Sequence, residues 1–117
     1  MPEIPEREWR TIRDLKPAVL DRACQRLLDE LTAQLQTLPT DSTHHERYLA
    51  VYRWIQAQDD LMAKGFDDLR RRNAYDLLAF WVYQGWLTWP EFNGLRQETQ
   101  EKVLSLAGLE RYTPPDV

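Results

Sequence analysis

Pro17 to Leu38, PAVLDRACQRLLDELTAQLQTL, decides the fold class of this chain. Leu20, Cys24, Leu27, Leu31, Leu35 and Leu38 recur at steps of three and four, so at about 100° per residue they fall on one stripe of an α-helix. Charged and amide side chains occupy the opposite side, and Pro39 blocks further extension. The stretch therefore predicts an amphipathic helix from Pro17 to Leu38 that needs a neighbouring helix against its leucines.

That neighbour is announced a few residues later. In Thr43-His44-His45-Glu46 the threonine hydroxyl is spaced to accept from the third amide while Glu46 reaches back to the amide of Thr43, the reciprocal arrangement that starts a helix. A second long helix is expected from His44 to Lys64, antiparallel to the first, with Gly65 as its stop and Lys64 favourably placed in its last turn. Tyr48, Tyr52, Ile55, Asp59, Met62 and Phe66 share one of its stripes. A third helix is expected from Asp67 to Gln84, capped by Gly85 in the left-handed conformation. Thr88-Trp89-Pro90-Glu91 repeats the capping pattern, with Leu87 spaced to pack on Phe92. A short helix to about Gly94 and another from about Glu98 to Ala107 follow. Upstream, Glu6 to Leu15 reads as a separate short helix with Trp9, Ile12 and Leu15 along one edge.

The expected fold is all-α, a bundle of three main helices with shorter N- and C-terminal helices. No strand alternation or internal repeat competes with it. Its 117 residues suit a single domain, with 1–5 and 109–117 expected as flexible ends. A charged fraction of 29% explains the mean hydropathy of −0.64 without invoking disorder, because 43% of residues are still hydrophobic.

Composition also narrows the function. A net charge of −4 argues against binding through a phosphate backbone, which needs clustered cations. The N-terminal MPEIPEREW lacks the basic start and apolar run of a signal peptide, and the longest apolar run, Leu77 to Tyr83, is too short to span a bilayer. The single cysteine, Cys24, falls on the leucine stripe and is expected to be buried and reduced. These features point to a cytoplasmic protein that does not engage a membrane.

Motifs for chemistry are absent. His44 and His45 are adjacent and diverge by about 100° on a helix, whereas helical metal pairs use three- or four-residue spacing. No phosphate loop or nucleophile elbow occurs, and no catalytic residue, metal ligand or cofactor is assigned.

Two constellations remain. Asp59 stands in an apolar stripe, where an unpaired buried carboxylate would be costly. It is expected to pair with Arg70, Arg71 or Arg72 across the bend at Gly65, or else to floor a pocket walled by Tyr48 and Tyr52. Within the third predicted helix, Asp67–Arg71, Asp68–Arg72 and Arg72–Asp76 are four apart and would neutralise the arginine run locally. The segment Phe66 to Phe92 carries most of the chain's aromatic residues, and Trp81, Trp86 and Trp89 are expected to anchor an interface. The resulting expectation is a non-catalytic interaction or regulatory module. It would bind another protein, or a second copy of itself, through an aromatic surface that Asp59 and Arg70 to Arg72 orient. The alternative is a small-ligand or enzymatic pocket centred on Asp59, with Tyr48, Tyr52 and an arginine.

Overall fold

The leucine stripe forms a helix, but a longer one than its sequence limits suggest. In the computed structural model, which describes residues 4–114, α1 runs unbroken from Glu6 to Gln36 with Pro17 inside it. The two helices expected before Thr37 are thus one. A proline inside a helix removes one backbone hydrogen bond and crowds the carbonyl four residues back, at a cost of about 3 kcal/mol. Here Pro17 and Arg13 both face solvent, so water can reach that carbonyl, while Ile12 and Val19 on either side are fully buried and hold the two halves in line.

Helix α2 spans His44–Phe66 and begins as its sequence requires. The Thr43 hydroxyl accepts from the Glu46 amide at 3.0 Å, and the Glu46 carboxylate accepts from the Thr43 amide at 3.0 Å. Gly65 does not stop the helix. It lies in the last turn because a side chain would not fit: a Cβ there would sit 2.8 Å from Cζ3 of Trp86 and 3.3 Å from the Phe80 ring.

The third helix is shorter than expected. Residues Asp67 to Arg70 form a turn, Arg71–Asn73 a single 3₁₀ turn, and α3 only begins at Ala74, ending at Gln84. Asn73 explains the delay. Its side-chain oxygen accepts from the Arg70 amide at 2.8 Å and its side-chain nitrogen donates to the Asp68 carbonyl at 2.7 Å, closing a turn that competes with helix. The expected four-residue ion pairs of the arginine run therefore do not form. Arg70 pairs with Asp68 at 2.9 Å, and Arg71 reaches back to Glu6 at 2.7 Å and to the Ile4 carbonyl.

At the end of α3, Gly85 takes φ 73° as its left-handed cap. The Thr88–Glu91 box then starts α4, Trp89–Asn93, and α5 follows from Gln97 to Ala107. Helix α3 is central, packing chiefly on α5 and also touching α1 and α2. Described residues toward either end join this core: Ile4 is buried, and Tyr112 is buried with its hydroxyl donating to the Leu87 carbonyl at 2.7 Å. These two residues fall within the segments expected as flexible ends, of which 1–3 and 115–117 lie outside the described residues.

Long-range polar contacts lock α1 to the core. Arg22 donates to the Trp86 carbonyl at 2.7 Å and forks onto Glu91, while Arg26 donates to the carbonyls of Gln84 and Gly85. The guanidinium groups thus satisfy carbonyls that α3 leaves unpaired at its negative end. Near the start of α1, buried Glu8 accepts from the Arg96 amide at 3.0 Å, placing a carboxylate at the positive end of α5.

The molecule is long for its size. Its radius of gyration is 16.9 Å, against about 13 Å expected for a compact chain of this length, and its longest extent is 55 Å. The elongation comes from α1 and α2, which project beyond the core as a helical hairpin. No residue from 24 to 64 is buried.

Gly65→Ala tests the close approach at the hairpin's base. On an open helix surface this change adds about 1 kcal/mol of helix stability. Against Trp86 it is expected to lower the unfolding free energy by about 1–2 kcal/mol, measured by urea denaturation. At the other end of α2, hydrogen bonds from Thr43 hold the Glu46 carboxyl below its ordinary value. A depressed folded-state pKa means that this contribution is present above the unfolded glutamate value and is lost as pH falls through the folded one. Amide protection at Thr43 is expected to vanish over that acid window, and to be missing at neutral pH in Glu46→Ala.

Candidate functional site

Along the projecting hairpin the two helices meet through a half-buried seam that includes Leu27, Leu31, Val51, Gln58 and Leu61. A seam between two helices covers only one flank of each. On α2 the stripe of Tyr48, Tyr52, Ile55, Asp59 and Met62 lies beside the seam, and on α1 Leu28 and Leu35 widen the leucine stripe toward the same side. The result is an apolar face with nothing over it: Leu28, Leu35, Tyr48, Tyr52 and Ile55 are 39% to 59% exposed. Single exposed apolar residues are ordinary, but a contiguous set on one face marks a contact surface.

Two shallow grooves run end to end along this face. The outer one lies between Leu35 and Leu38 of α1 and its connection and Tyr48, Tyr52 and Ile55 of α2, with His44 and Arg47 at the hairpin tip. The inner one lies between Leu20, Cys24 and Leu28 of α1 and Asp59, Met62 and Phe66 of α2, with Lys16 and Asp67 at its margin. Tyr48 and Tyr52 meet edge to face at 6.4 Å, and Gln56 donates to the Tyr52 hydroxyl at 3.0 Å, so the tyrosines stand as a fixed ridge. Arg47 donates to Nδ1 of His44 at 2.8 Å. The outer groove thus has the Arg47 guanidinium at its tip end, and the inner groove has two carboxylates and one ammonium toward the base.

The residues singled out from the sequence divide between this face and the core. Asp59 lies on the face, exposed, and makes no ion pair among the described residues. The expected pair with Arg70, Arg71 or Arg72 is not formed, because the stripe from Tyr48 to Asp59 faces outward and leaves the carboxylate exposed to solvent. Arg72 is exposed and does not approach it. Tyr48 and Tyr52 also lie on the face, but they line the outer groove and Asp59 the inner one, so they do not wall a common pocket.

Trp81 and Trp86, expected as interface anchors, are core residues. Trp81 is fully buried with its indole N–H donating to the Gly65 carbonyl at 2.7 Å, and Phe66 stacks on both rings at 5.6 Å and 5.2 Å. Trp89 is 45% exposed beside Phe92, away from the hairpin. Cys24, expected to be buried, is exposed in the inner groove.

Leu28 was the missed member of the face. Its signal was the Leu27-Leu28 pair, which makes the apolar sector of α1 wider than one partner helix can cover. Among the described residues, no cluster of three His, Cys, Asp or Glu side chains is placed to hold a metal, and no helix is long and apolar enough to cross a membrane.

No protein-family model, curated protein or solved structure significantly matches the chain.

Charge in the core and charge on the surface differ in consequence. The Arg22 and Glu91 side chains are 25% and 16% exposed, whereas those of Arg70 and Asp68 are 56% and 67% exposed. Arg22→Ala is expected to destabilise the fold by about 2 kcal/mol, because in a partly dry site it leaves Glu91 with only the Thr88 amide as donor and takes the guanidinium from the Trp86 carbonyl. Arg70→Ala is expected to change stability by less than about 0.5 kcal/mol. Thermal and urea unfolding of the two variants make the comparison.

Proposed function

We propose that the protein is a non-catalytic interaction module whose working surface is the apolar face of the α1–α2 hairpin. One observation carries this reading: the hairpin from residue 24 to 64 contains no buried side chain, yet it presents five large exposed apolar residues on one side. A helix pair of this kind is half of a bundle, and covering it with further helices would bury the remaining stripe. The tyrosines and Ile55 supply rigid contact area, while Asp59 and Arg47 at opposite ends give the contact direction.

The arginine run offers little to nucleic acid, as expected from the sequence. Arg70 and Arg71 answer Asp68 and Glu6, and only Arg72 of the three makes no such pair among the described residues. A small-ligand pocket centred on Asp59 is also disfavoured, since the tyrosines and Arg47 line the other groove. The exposed Cys24 thiol on the contact face fits a reducing, cytoplasmic setting.

The double variant Tyr52→Glu/Ile55→Glu tests the reading. Both residues are exposed, so the monomer fold is expected to keep its helicity and to lose no more than about 0.5 kcal/mol. Capture from extract of the source cell, using immobilised wild type and variant side by side, is expected to lose stoichiometric partners with the variant alone. Equal capture by both would remove the hairpin face as the docking surface.

A further inference from the structure

We infer that the occupant of the hairpin face is a second copy of this chain, docked antiparallel across a two-fold axis between Tyr52 and Ile55 to complete a four-helix bundle. This rests on the reading of the hairpin as a docking surface and specifies what docks there.

The argument begins with charge. The outer groove carries Arg47 and His44 at the tip, the inner groove Asp59 and Asp67 toward the base, and apolar residues lie between. A two-fold axis perpendicular to the hairpin near the middle of this stripe lays the tip of one copy over the base of the other. Arg47 then meets the acidic end of its partner, and by symmetry the same contact forms twice. A parallel arrangement, with its axis along the hairpin, would gather both Arg47 side chains at one end and both Asp59 carboxylates at the other, so the charge pattern selects the antiparallel one. Lys16 at the base reduces the acidic excess there without cancelling it.

Size and shape agree. From Leu20 to Gln36 α1 spans about 24 Å, and the face is two helices wide, on the scale of the roughly 800 Å² per partner that stable interfaces bury. Antiparallel docking also leaves the two cores at opposite ends of the bundle. Leu28, Leu35, Tyr48, Tyr52 and Ile55, now exposed, become its interior. Asp59, a solvated carboxylate in the single copy, faces Arg47 of the second copy.

Charge exchange provides the test. The mass of the full chain is followed by sedimentation equilibrium from about 1 to 100 µM, for wild type, Asp59→Arg, Arg47→Asp and an equimolar mixture of the two variants. Wild type is expected at twice the 14.0 kDa monomer mass. Each single variant places like charges together twice per dimer and is expected to weaken association at least tenfold. In the mixture every contact again pairs Arg with Asp, so a heterodimer of about wild-type affinity is expected.

A wild type that stays monomeric to 100 µM would overturn the second copy as occupant, as would a dimer indifferent to both charge reversals. Neither result alone removes the hairpin as a docking surface. If capture from extract still depends on Tyr52 and Ile55, only the identity of the occupant is wrong; if that dependence is also absent, both readings fall.

Discussion

The architecture turns on the approach of one backbone to one ring. At Gly65 the last turn of α2 comes so close to Trp86 that no side chain fits between them, and at that contact the Trp81 indole donates to the Gly65 carbonyl. Phe66 then stacks on both tryptophans. Because α2 enters the core only here, these contacts fix where the hairpin leaves the body of the protein. They also explain why Trp81 and Trp86 are buried: both are occupied in holding the base of the arm.

The same base is secured from the α1 side by charge. Arg22 and Arg26 reach the carbonyls at the end of α3 from more than fifty residues away in sequence, and Arg22 also grips Glu91 at the start of α4. A guanidinium is suited to this task because its planar fork serves several acceptors at once without losing its charge. Glu8 makes the complementary contact at the start of α5. Core packing and these clamps stop near Ala23 and Arg26, and beyond them α1 is held only by its own hydrogen bonds and the half-buried seam with α2.

What the sequence revealed follows the range of the interactions involved. The capping boxes at Thr43 and Thr88 and the glycine cap at Gly85 are complete within a few residues, and they appear where their spacing placed them. Pro17 and Gly65 misled because each is locally a helix breaker whose effect is overruled by distant packing, from Ile12 and Val19 in one case and Trp86 in the other. The turn before α3 was hidden because Asp67, Asp68 and the arginines suit a helix start, while the deciding hydrogen bonds come from Asn73. For the candidate site, the α2 stripe was legible but its direction was not. Periodicity shows that Tyr48, Tyr52, Ile55 and Asp59 share a side; only the position of α1 shows that this side faces out, which turns Asp59 from a buried anomaly into a solvated edge.

The absence of buried side chains between Ala23 and Gly65 has a consequence for the protein's lifetime. Segments with few buried contacts open locally at little free-energy cost, and cleavage follows the population of the open form when opening and closing are fast. An uncovered hairpin is therefore the part of the fold most accessible to proteolysis, while a covered one shares the stability of the whole assembly. Docking on this face would then do more than bring chains together: it would let the cell distinguish assembled copies from orphaned ones by how long they persist.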